Sequence, residues 1–174
     1  MCSRFTETAP LLNMAKEIAQ GIQIRTSHPP DPVVKEKFEK LQRIYQHHCG
    51  CLALHTNERV QSLKYLKEFT QLVREKHGDC PPGKDSSMGV GWNELGNAYL
   101  QNNMIQEAEE CYIKSINALK ALDGATDISI SMPLINLAFT YLLSNRLDEA
   151  AKTFQDALEV RERVYGVSDK TSFT

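Results

Sequence analysis

The feature that most constrains this chain is a repeat. The segment Trp92-Asn93-Glu94-Leu95-Gly96-Asn97-Ala98-Tyr99, moved by 42 positions, falls on Leu134-Ile135-Asn136-Leu137-Ala138-Phe139-Thr140-Tyr141. The same offset carries Asn102-Asn103 to Ser144-Asn145, Glu107-Ala108 to Glu149-Ala150, Tyr112 to Phe154, and Gly124 to Gly166. Asp85, Asp127 and Asp169 are in phase as well. A repeat of this length restricts the fold to stacked copies of one supersecondary unit, each burying its apolar face against the next. A decayed copy lies 46 positions upstream, with Gly78 for Gly124, Asn57 for Asn103 and Cys49-Gly50 for Leu137-Ala138. Ser62, Leu66 and Phe69 then take the places of Ala150, Phe154 and Ala157, and the extra residues fall in the Asp79-Cys80-Pro81-Pro82 loop.

Apolar spacing makes each unit two antiparallel helices. In the middle unit, helix A is expected over 86–101 after an Asp85 N-cap, with Trp92, Leu95, Tyr99 and Leu100 at helical intervals. Asn102-Asn103 turns the chain, and helix B runs through Ala108, Cys111, Tyr112, Ser115 and Leu119 to a stop at Asp123-Gly124. The last unit repeats this pattern, and the first is opened by Asp31-Pro32. Upstream, Thr8 caps a further helix to about Arg25, followed by the stiff His28-Pro29-Pro30-Asp31-Pro32 break. No strand pattern occurs, so the expected fold is all-α. The chain divides into 1–32 (helix and Pro-rich break), 33–84 (degenerate first repeat), 85–126 and 127–168 (two full repeats), and 169–174 (start of a further one).

Trp92-x-x-Leu95-Gly96-x-x-Tyr99 with Ala108 and Tyr112 resembles the tetratricopeptide repeat signature, with Ser115 in the second small-residue slot. Leu137-Ala138-x-x-Tyr141, Ala150, Phe154 and Ala157 form a second, cleaner copy. The long period and the Arg161-Glu162-Arg163-Val164-Tyr165-Gly166 ending are similar to the repeats of kinesin light chains. The resemblance implies an α-α superhelix, a solenoid of antiparallel helix pairs whose A helices line a concave face. It also implies a non-catalytic module that binds a peptide or protein there, within a larger scaffold or regulatory protein. Groove positions would be Asn93, Glu94, Asn97 and Gln101 in the middle unit, Ile135, Asn136, Phe139 and Leu143 in the last, and His47, His48, Cys51 and His55 in the first. The i, i+4, i+8 spacing of 93/97/101, 135/139/143 and 47/51/55 sets each group on one helix stripe, separate from the packing stripe. Alanine at Asn93, Asn97 and Asn136 would then leave helical content intact. The basic residues of a carboxylate clamp are missing, since His47, His48 and Glu94 hold those positions.

Other chemistries find little support. His47-His48-Cys49-Gly50-Cys51-x-x-x-His55 contains metal-ligand types, and a metal-binding or enzymatic helical protein using His47, His48, Cys51 and His55 is the alternative reading. Three ligands over two helical turns cannot reach one ion without unwinding, so no metal or cofactor is expected. No nucleophile elbow, phosphate loop or His-Glu-x-x-His occurs. A net charge of −2 gives no electrostatic hold on nucleic acid, and no window is apolar enough to span a membrane. The first ten residues lack an apolar core, so no export signal is expected; Cys2, Cys49, Cys51, Cys80 and Cys111 then read as free thiols of a cytoplasmic or nuclear protein. Stopping early in a further repeat, the chain is expected either to be part of a longer array or to self-associate through the uncovered face of its last helix, which carries Leu147, Ala151, Leu158 and Val164.

Overall fold

The computed structural model describes residues 17, 32–78, 86–122 and 128–165. Among them are six α-helices and no strand: α1 (Pro32–His55), α2 (Arg59–His77), α3 (Ser87–Gln101), α4 (Ile105–Lys120), α5 (Ile128–Leu143) and α6 (Leu147–Tyr165). The all-α helical repeat expected from the period is what forms. The chain divides into two compact units, 1–72 and 73–174, with the division inside α2.

Three chain reversals share one geometry. Asn57, Asn103 and Asn145 have φ of 59°, 60° and 58°, the left-handed region that asparagine tolerates better than most side chains. After each, the next amide reaches back five residues: Glu58 N–H to Ala53 O (2.8 Å), Met104 N–H to Tyr99 O (3.0 Å) and Arg146 N–H to Tyr141 O (2.9 Å). The asparagine amides themselves donate to Leu54, Leu100 and Leu142 carbonyls. Together these are the two bonds of a Schellman turn, which satisfies carbonyls that a helix end would leave unpaired.

In the first unit, α1 and α2 form a hairpin in which Gly50 accommodates Leu66. A Cβ on Gly50 would lie 2.5 Å from Leu66 Cγ. Tyr45, Ala53, Leu66 and Phe69 are buried there, and Tyr45 meets Tyr65 edge-on at 6.2 Å. Burial, followed by the neighbouring Cys49, pushes the Tyr45 phenol above its ordinary value.

In the second unit, α3 packs on α4, α4 on α5 and α5 on α6, and the two A helices α3 and α5 also meet. Its core gathers Ala108, Tyr112, Ile116 and Leu119 from α4, Ile130, Leu134 and Leu137 from α5, and Ala157 from α6. Gly96, a small residue of the repeat signature, does not bring two backbones into contact. Instead the glycine makes room for the Tyr112 ring, whose Cε1 would be 2.6 Å from an added Cβ. Gly89 does the same for Leu119, and Ser115 Oγ donates to the Gly89 carbonyl at 2.6 Å. Trp92 is buried between Arg74 and Lys114, whose cationic groups sit 5.2 and 4.9 Å from the ring.

Several boundaries differ from expectation. Helix α3 begins after Ser86, which makes no side-chain cap bond, and α4 ends at Lys120 with Ala121 as C-cap. Pro133 stands inside α5 without breaking it. The Thr8–Arg25 helix, the Pro-rich break through Asp31, the caps Asp85, Asp123-Gly124, Asp127 and Gly166, the thiols Cys2 and Cys80, and the 169–174 segment lie outside the described residues. Cys49, Cys51 and Cys111 are free thiols. No described helix is long and apolar enough to cross a membrane.

Candidate functional site

The meeting of α3 with α5 brings Asn93, Asn97 and Asn136 together. Asn136 Nδ2 donates to Asn93 Oδ1 at 3.0 Å and to Asn97 Oδ1 at 3.2 Å. Asn97 Oδ1 also accepts the Tyr112 hydroxyl at 2.9 Å. Each of the first two asparagines turns its nitrogen to Glu94: Asn93 Nδ2 to Oε1 and Asn97 Nδ2 to Oε2, both at 3.3 Å. All four polar residues are half-buried. The network therefore spends most of its hydrogen-bonding capacity internally. One N–H on each of Asn93 and Asn97, one lone pair of Asn93 Oδ1, the Asn136 Oδ1 and lone pairs of the Glu94 carboxylate remain for anything outside.

This corrects one expectation. The asparagine stripe is not separate from the packing stripe, because Asn97 holds the hydroxyl of Tyr112, a fully buried core residue. Alanine at Asn97 would strand that hydroxyl, so it is a stability mutation as much as a surface one. Sequence reading also missed Tyr112 as a polar participant; its equivalence with Phe154 suggested packing only. Glu94 lies on the expected face, and its two amide supports are local, from Asn93 beside it and Asn97 one turn on; only the Asn136 bonds need the three-dimensional register.

Burial, then the charge of Glu94, pushes the Tyr112 phenol above its ordinary value near 10. A raised acid favours the folded state while it is protonated, so that stability is present below pH 10 and is lost as pH rises further. Tyr112→Phe is expected to cost about 0.5–1.5 kcal/mol at pH 7 through the lost hydrogen bond. It should also flatten the fall in stability between pH 9.5 and 11 relative to wild type. Urea midpoints across that range check this, and parallel curves for the two proteins would refute it.

The remaining predicted positions divide. Ile135 is half-buried against the core, and Gln101 is half-buried at the end of α3. Phe139 is 52% and Leu143 62% exposed, although Phe139 meets Phe154 edge-on at 5.3 Å. At the turn before α6, the Arg146 guanidinium lies 4.2 Å from the Tyr141 ring and bonds Glu109 (2.7 Å) and Glu149. The bond from Arg146 holds the Glu149 carboxyl below its usual range.

Residues 87–163 match the tetratricopeptide repeat family model. That segment is built of tetratricopeptide repeats. No curated protein and no solved structure shows significant similarity to the chain. The match does not single out the kinesin-light-chain kind of repeat. Tetratricopeptide repeats serve in general as protein-interaction modules. In this one, both A helices of the matched segment contribute to the amide network.

In α1, His47 Nε2 lies 3.6 Å from Cys51 Sγ and its ring stacks obliquely on Phe69 at 4.8 Å, while His48 Nδ1 contacts the Ile44 carbonyl. His55 is exposed at the helix end. Among the described residues no three His, Cys, Asp or Glu side chains come together as a metal site. The metal alternative thus has two neighbouring ligand types and no third.

On α6, Leu147, Leu158 and Val164 are 59%, 48% and 41% exposed. Ile116, the α4 counterpart of Leu158 under the 42-residue shift, is 7% exposed beneath α5.

Proposed function

We propose that this protein is a non-catalytic interaction module whose α3 and α5 faces hold an extended peptide segment or a partner protein, within a larger scaffold or regulatory assembly of the cytoplasm or nucleus. The α1–α2 hairpin is assigned as a diverged unit of the same array, because its turn and its Gly50–Leu66 pairing repeat those of the matched segment. His47, Cys51 and His55 are assigned to the equivalent stripe of α1.

The observation that carries the reading is the amide network. An extended peptide leaves its own N–H and C=O groups unpaired, and asparagine supplies both a donor and an acceptor to meet them. Phe139 and Leu143 continue the Asn136 face at i+3 and i+7 and offer apolar surface for a side chain.

Affinity capture from source cells, comparing wild type with Asn93→Ala and Leu143→Ser, tests the proposal. Neither substitution touches the Tyr112 hydroxyl; Leu143→Ser should leave the unfolding free energy within about 0.5 kcal/mol of wild type, and Asn93→Ala, which loses its bonds to Asn136 and Glu94, within about 1.5 kcal/mol. Partners that quantitative mass spectrometry finds on wild type are expected to drop at least about tenfold on each variant, the effect of losing one good polar or apolar contact. Unchanged recovery on both variants would place the interaction elsewhere.

A further inference from the structure

The four polar residues that join α3 and α5 do not amount to a neutral surface. Glu94 is the ionised member, half-buried, with one neutral amide donating to each of its oxygens. Amides orient a carboxylate without cancelling its charge. Among the described residues no lysine, arginine or histidine pairs with it. Lys114 on the adjacent helix sits over the Trp92 ring and 3.9 Å from Glu110. Asn136 spends its nitrogen on Asn93 and Asn97, so its carbonyl oxygen is a second acceptor in the same network. The outward capacity of the site is therefore rich in acceptors and negative.

We propose that Glu94 is a specificity-determining residue which selects a segment carrying an arginine followed by an apolar side chain. This rests on the peptide-binding reading above and narrows it. The charge calls for a cation, and a partly desolvated carboxylate gains more from one than an exposed carboxylate does. Guanidinium suits the site better than ammonium. Its planar fork can bond a carboxylate with two parallel N–H groups while a further N–H reaches a neighbouring acceptor such as Asn136 Oδ1. Phe139 and Leu143, both more than half exposed, supply the apolar surface further along α5. An acidic segment would face like charge and is excluded.

The test uses the full chain against an array of nine-residue peptides with degenerate flanks. The central residue is Arg, Lys, citrulline or Glu, followed by Leu or Ser. Citrulline keeps the shape of arginine and removes its charge. Wild type is expected to bind Arg-Leu peptides about tenfold more tightly than citrulline-Leu peptides, with Lys-Leu between them and Glu-Leu at background, as charge-assisted hydrogen bonds imply. Glu94→Gln, which keeps an acceptor oxygen, should bring the arginine-to-citrulline ratio close to one. Equal binding of arginine and citrulline peptides by wild type overturns the proposal whether or not the variant folds. A preference that survives in folded Glu94→Gln overturns it too. If binding then still falls in Asn93→Ala and Leu143→Ser, the peptide-binding reading stands without Glu94. Binding that is absent, or indifferent to all three substitutions, overturns both.

Discussion

Replacing Tyr112 with alanine is expected to lower the free energy of unfolding by about 3–5 kcal/mol, the range for deleting a large buried aromatic side chain. The ring is fully buried, belongs to the core shared by α4, α5 and α6, and fills the space that Gly96 leaves open. Its removal takes away packing on several sides, and glycine at 96 has no side chain with which to fill the gap. The hydroxyl lost with it leaves Asn97 Oδ1 with one donor instead of two. Urea unfolding followed by circular dichroism measures the change. A loss below about 1.5 kcal/mol would mean that the site collapses readily and that the ring is not the filler described.

The opposite error at the same contact is expected to destabilise as well, by a smaller amount. Gly96→Leu places a branched side chain where even a Cβ comes within 2.6 Å of Tyr112 Cε1 and 2.8 Å of Cδ1. Overpacking of this kind costs about 1–3 kcal/mol and occasionally more. The better helix propensity of leucine returns up to about 1 kcal/mol, which the clash outweighs. A rigid ring held at its far end by Asn97 has no flexible tip to move aside. The double variant Gly96→Leu/Tyr112→Ala should cost less than the two single changes added together, because leucine then occupies space the ring has vacated. Strict additivity would show that residues 96 and 112 do not compete for one volume.

The fold was readable from the sequence because its determinants are local and periodic. Asn57, Asn103 and Asn145 mark turns by residue type and offset, and the structure builds the same turn at all three. Gly96 and Ala138 are small residues in phase, but the phase does not say what fills the space beside them. A 42-residue shift aligns Gly96 with Ala138 and Tyr112 with Phe154, yet it does not say which ring reaches which backbone. The same limit applies to the candidate site. Helical spacing puts Asn93, Glu94 and Asn97 near one face, whereas the bonds from Asn136 depend on how two helices 39 and 43 residues apart in sequence are rotated against each other. Asn97 shows the consequence most clearly: its position marks it as surface, and its hydrogen bond makes it part of the interior. Helix ends were the least readable, since Ser86 makes no side-chain cap bond and α4 closes at Ala121 without a glycine.

The bond from Tyr112 to Asn97 runs from the hydrophobic interior to the face where another chain is proposed to lie. A guest that bonded Asn93, Asn97 and Asn136 would also hold the acceptor of the Tyr112 hydroxyl. Occupancy and cohesion therefore share one thermodynamic cycle: a guest that favours the native amide arrangement raises the melting temperature in proportion to the logarithm of its concentration. If a peptide lies there as proposed, the occupied protein would melt at a higher temperature than the empty one.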